Sequence, residues 1–196
     1  SHYIPMSVLN PYSAFEAIYT SEELGLGSGV TWSSGGTNND WEIGAPMFFP
    51  DVDPALIPEN EAKVAGNALT QNMGYHAPKA WSWLASSGFS MEEASDYDSV
   101  FVRYMRCVRL PMSSNALVQL AFGDDPDLTP SGGAWTTVRE YNGVHHQYWD
   151  YETIDVTTLF ADNSDYDYFF IRFLLDSGTY GEAGGWNLDN IQFFGR

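Results

Sequence analysis

Residues 168–175, YFFIRFLL, are apolar on both sides of an extended chain. Phe169, Ile171, Phe173 and Leu175 fall on one side, and Phe170, Arg172 and Leu174 on the other. Side chains alternate across a strand, so a strand apolar on both faces belongs in the middle of a sheet, not at its edge. Such a strand needs partners, and the chain supplies them. SVFVRYMRCVRL at 99–110 aligns Val100, Val102, Tyr104, Val108 and Leu110, and residues 116–122 align Ala116, Val118, Leu120 and Phe122. The last run, Trp186 to Phe194, carries Ile191 and Phe193 on the face that strict alternation also gives to Asp189. Between the runs lie Gly- and Pro-rich turns at 25–29, 33–40, 124–133 and 178–185. No long helical period occurs; MEEASDYD at 91–98 has room for one helical turn. Short strands, turn-rich loops and no alternating helices predict an all-β fold, an antiparallel β-sandwich. With no repeat, linker or composition break, residues 1–196 read as a single domain.

Composition narrows the function classes. Against 26 acidic residues stand 8 basic ones, a formal net charge of -18. Such a field repels phosphate backbones, which argues against a nucleic-acid partner and favours cations, neutral ligands or solubility alone. A single cysteine, Cys107, excludes an internal disulfide and sits in an apolar run as a buried thiol. No segment has the apolar length of a membrane span.

Templates for catalysis are missing. Neither H-E-x-x-H nor G-x-S-x-G occurs, and the histidines are His2, His76 and the pair His145–His146, whose adjacent side chains would point to opposite faces of a strand. With so many acids, carboxylate pairs arise by chance, so a glycan hydrolase or lyase is the residual enzymatic reading. Two acidic groups, Asp51, Asp53, Glu59 and Glu61 in one loop and Asp124, Asp125 and Asp127 in another, lack calcium-loop spacing and read either as solvated loops or as further calcium sites. Aromatic residues are the richer signal. Trp81 and Trp83 in KAWSWLASSG share a face if that segment is extended, and Tyr148, Trp149 and Tyr151 form a second group.

Taken in order, AFEA at 14–17, GVTW at 29–32, NDWEIGAP at 39–46, KVAGNALTQNMGY at 63–75, the VFVRYM strand, VQLAFGDDPDLTPSGGAWTTV at 118–138, YWDYETIDVTTL at 148–159 and the closing FFIRFLLDSGTYGEAGGWNLDNIQF form a series. It resembles the jelly-roll accessory domain found beside immune-inhibitor-A-type metallopeptidases, which is similar to MAM domains and reelin subrepeats. The resemblance spans about residues 14–194; the W-E-x-G-x-P strand and the closing G-G-W-x-L-D-N-I strand are its most specific parts. The KVAGNALTQNMGY element departs from the pattern by lacking a tryptophan.

The resemblance implies a jelly roll cut from a larger exported protein, secreted or at the cell surface. It also implies a calcium ion pinning the first strand to the last, with Glu16 and Asp189 as ligands and Asp40 or Glu42 assisting. The expected function is a non-catalytic, calcium-stabilised binding or adhesion module. Its partner would be a polysaccharide or a surface protein, met through Trp81, Trp83, Tyr148 and Tyr151. The alternative is a purely structural domain supporting a neighbouring secreted enzyme.

Overall fold

The computed structural model describes residues 16–19, 31–44, 64–70, 76–127, 134–143, 145–178 and 184–196. Among the described residues, twelve strands and two short helices follow one another: β1 Glu16–Tyr19, β2 Trp32–Thr37, β3 Trp41–Gly44, β4 Val64–Asn67, β5 Trp81–Ser86, β6 Phe89–Ser90, α1 Met91–Ala94, β7 Val100–Arg109, β8 Asn115–Gly123, β9 Thr136–Asn142, β10 His145–Asp155, α2 Thr157–Asp162, β11 Tyr168–Asp176 and β12 Gly185–Gly195. They form two antiparallel sheets. Sheet A runs β10-β7-β12-β4-β3, with β1 also paired to β12, and sheet B runs β2-β5-β11-β8-β9, with β6 also paired to β11. The fold is an all-β sandwich, as the alternation predicts. β11 is central, flanked by β5 and β6 on one side and β8 on the other. The first described strand, β1, pairs with the last.

The core lies between the sheets. Phe169, Ile171, Phe173 and Leu175 meet Val100, Val102, Tyr104 and Val108 of β7 and Trp186, Leu188 and Phe193 of β12. Aromatic rings organise it: the Trp186 ring centroid lies 5.4 Å from that of Phe173 and 5.8 Å from that of Tyr141, and Phe169 lies 4.8 Å from Phe193. Removing one such buried ring costs about 3–5 kcal/mol.

The helical turn expected at 91–98 is α1, started by the Ser90 hydroxyl, which accepts a bond from Glu92 N. Helix α2 has no counterpart in the sequence reading. Thr157 and Thr158 are weak helix formers, but burying Phe160, 4.9 Å from Phe169, turns the chain back over the core.

One face assignment is corrected. Asp189 pairs with Met105 while Gln192 pairs with Arg103, so two residues of β12, Asn190 and Ile191, oppose one of β7, Tyr104. This bulge, with Asn190 at φ 49°, reverses the alternation. Ile191 and Phe193 stay in the core, and Asp189 shares the outer face of sheet A with Met105.

Candidate ligand-binding face

The outer face of sheet B is set by the register of its five long strands. Along one row stand Thr37, Trp81, Asp176, Asn115 and Asn142; along the next, Gly35, Trp83, Leu174, Leu117 and Glu140; along the third, Ser33, Ala85, Arg172, Gln119 and Thr137. Trp81 and Trp83, two apart on β5, both face outward, as an extended segment requires. Trp81 is 45% exposed. The indole of Trp83 lies across β2, where a Cβ on Gly35 would come within 2.6 Å of its Cζ2. Only glycine leaves room for that flat ring.

The third row is a polar unit held beneath an aromatic lid. Arg172 is only 6% exposed. Its Nε and a terminal nitrogen both donate to Gln119 Oε1, at 2.9 and 2.6 Å. Gln119 Nε2 in turn donates to Thr137 Oγ1 at 3.0 Å. The guanidinium carbon sits 4.2 Å from the ring centroid of Trp135, which reaches in from the start of β9. Burial lowers the Arg172 guanidinium to about 10, leaving it charged at neutral pH. Trp135, Arg172 and Gln119 were absent from the sequence-derived site. The tryptophan following Gly132–Gly133 and the arginine within an apolar strand were the available signals.

The four aromatic candidates separate into two pairs. Tyr148 and Tyr151 lie on β10, an edge strand of sheet A. Tyr151 is exposed on the outer face of that sheet, with the Arg103 guanidinium 3.7 Å from its ring centroid. Trp81 and Trp83 belong to the opposite side of the sandwich. Trp149, on the same strand as the tyrosines, is half-buried, and Trp186 is core.

Of the four carboxylates assigned to calcium, those of Asp40, Glu42 and Asp189 have described surroundings. The backbone of Glu16 faces Gly195, six residues along β12 from Asp189. Asp189 is buried, and its Oδ1 accepts from Asn190 N. Asp40 is engaged locally: Oδ2 accepts from Ala77 N at 2.6 Å and Oδ1 from Asn67 Nδ2 at 3.0 Å. Burial raises its carboxyl above the ordinary value despite those bonds. Glu42 Oε2 accepts from the backbone and hydroxyl of Thr70. Among the described residues, no three acidic, histidine or cysteine side chains cluster as a metal site. The loop at 51–61 lies outside the described residues. Asp124, Asp125 and Asp127 are exposed, and Asp125 Oδ1 accepts from Asp127 N in a local turn.

No protein-family model and no curated protein matches the sequence. Solved structures do share its fold. One is the K1 cleaved adhesin domain of Lys-gingipain from Porphyromonas gingivalis W83, at a TM-score of 0.51 and 11% identity over 93% of this chain and 97% of that one. Another is a structure described in terms of promiscuous specificity among carbohydrate-binding modules of the β-sandwich superfamily, at 0.50 and 11% over 91% and 61%. At such identities the likeness establishes architecture alone: a β-sandwich domain. Among the described residues, no helix is long and apolar enough to cross a membrane.

Proposed function

We infer that this domain is a non-catalytic glycan-binding module of a secreted or cell-surface protein, and that it binds through the outer face of sheet B. The observation that carries the reading is the pair of outward-facing indoles on β5, one of them packed against Gly35, beside a polar strip of Asp176, Asn115, Asn142 and Glu140. Flat aromatic surfaces stack on the apolar faces of sugar rings, and neighbouring amides and carboxylates take up hydroxyl hydrogen bonds. Support also comes from the fold's likeness to an adhesin domain and to a structure described in terms of carbohydrate-binding modules. The resemblance to bacterial accessory domains supplies the setting, a module appended to a larger exported protein.

A glycan array probed with the wild-type domain and with the Trp81→Ala/Trp83→Ala double variant tests this. Retention of at least one glycan class by the wild type, lost in a double variant that still melts cooperatively, is the expected result. A wild type that retains nothing, or a double variant that binds undiminished, refutes the reading and leaves a structural accessory domain.

A further inference from the structure

Resting on that reading, we propose that the ligand is a linear, uncharged glycan that crosses the strands diagonally, and that Trp135, held by Arg172, is its third stacking station. Trp81 and Trp83 are two residues apart on β5, a separation of about 7 Å. Arg172 pairs with Ala85, and Leu174 with Trp83, so the Arg172 backbone is the diagonal neighbour of the Trp83 backbone on the next strand, about 7–8 Å away. Trp135 covers that guanidinium. The third indole therefore lies on the β11 side of β5, opposite the β2 side over which the Trp83 ring lies, so a chain passing over both rings crosses the strands, although Trp135 itself comes from the segment leading into β9 at the far edge of the sheet.

Arg172 is a positioning residue in this arrangement. At 6% exposure it is not itself a surface for the ligand. Its planar fork is fixed by Gln119, which is fixed in turn by Thr137. The flat cation then presents one face to the Trp135 ring and keeps the indole against the sheet. A lysine in its place would retain the charge without the plane.

The charge of the face selects the ligand class. The exposed ionised groups on these rows are the carboxylates of Asp176 and Glu140, and the one guanidinium lies beneath an indole. An acidic polysaccharide would meet like charge here, on a protein whose net charge is already -18. A neutral chain meets hydrogen-bonding groups and flat rings.

Calorimetric titration with neutral cello-, xylo- and manno-oligosaccharides from dimer to hexamer, and with galacturonate oligomers of the same lengths, tests the proposal. For the neutral series that binds, affinity should step up once the oligomer outgrows the two β5 indoles. Trp135→Ala should abolish that step, a loss of about two- to tenfold for the hexamer, while leaving the dimer unchanged. Trp135→Tyr should restore part of it. Arg172→Lys should behave like Trp135→Ala with an intact melting transition, and the Trp135 pair decides the matter alone if Arg172→Lys fails to fold. A length step indifferent to Trp135→Ala, in a protein whose binding still needs Trp81 and Trp83, overturns this inference and leaves the parent reading standing. So does tighter binding of the galacturonate series. No binding of any neutral series by a wild type that still retains a glycan on the array overturns this inference alone, and a wild type that also retains nothing on the array overturns both.

Discussion

Cys107 lies on β7 opposite Asn187 and is 2% exposed, on the face of sheet A turned away from the sandwich core. Burial pushes its thiol up to about 11, with the nearby Arg106 guanidinium offsetting only part of that effect. The thiolate is the reactive form, so both access and ionisation protect this side chain. Native protein at pH 8 should therefore resist a thiol-specific chromogenic reagent for hours, then release one equivalent of product at once in concentrated guanidinium. Rapid labelling of the native protein would contradict its burial. Asn190 is the opposite kind of residue, partly exposed but constrained by its backbone. Its φ of 49° lies in the left-handed region, which asparagine tolerates and β-branched residues do not. Asn190→Val should cost about 1–3 kcal/mol in denaturant unfolding, whereas Asn190→Gly should be close to neutral. Equal stability of the two variants would mean that the bulge does not depend on this conformation.

At the scale of the element, β11 shows what alternation makes legible and β12 shows where it stops. Both faces of 168–175 were apolar, and the strand is central with Phe169, Ile171, Phe173 and Leu175 in the core. In β12 the same rule placed Asp189 with Ile191, because a one-residue bulge leaves no mark on the period of either flanking segment. The pairing of Trp81 with Trp83 was legible for the same reason that β11 was, since period two within one strand is local. The contribution of Trp135 was not, because its place beside them is set by a pairing path that runs through β11 and β8. Likewise the division of the aromatic candidates follows from sheet membership: β5 belongs to sheet B and β10 to sheet A, and no spacing in the sequence encodes which sheet a strand joins. Helix α2 was missed because its stabilisation comes from the burial of Phe160, not from propensity.

Across the whole molecule, the passage from β9 to β10 carries the chain from sheet B to sheet A, and a polar cluster ties the two sheets along that side. Glu152 accepts from Arg106 Nε at 3.0 Å and from Arg139, joining β10 to β7 and to β9. The Arg106 and Glu152 side chains are 10% and 13% exposed, so removing the carboxylate leaves a poorly solvated guanidinium behind. Glu152→Gln should lower unfolding stability by about 3 kcal/mol. A change within a few tenths of a kcal/mol, as for an exposed ion pair, would show that the cluster is solvated in solution.

Beside that cluster the Tyr104 and Tyr141 hydroxyls are 2.7 Å apart, one from each sheet. Burial, reinforced by its neighbour's phenol, holds Tyr104 well above its ordinary range, and burial pushes Tyr141 up to about 12. Folded values above the unfolded value of about 10 mean that the unfolded chain gives up these protons first. The stability they contribute is complete below pH 10 and drains away as pH rises toward 12, because each ionised phenol favours the unfolded state. Unfolding free energy should thus fall steeply over that window, and phenolate absorbance from this pair should arrive together with loss of the folded-state signal. Tyr141→Phe should cost about 1–2 kcal/mol at neutral pH by orphaning the Tyr104 hydroxyl. It should also flatten the alkaline decline, since one of the two delayed protons is gone. Denaturant melts of both proteins at pH 7, 10 and 11.5 would measure this directly. Parallel declines in the two proteins would show that the seam between the sheets is not what gives way at high pH.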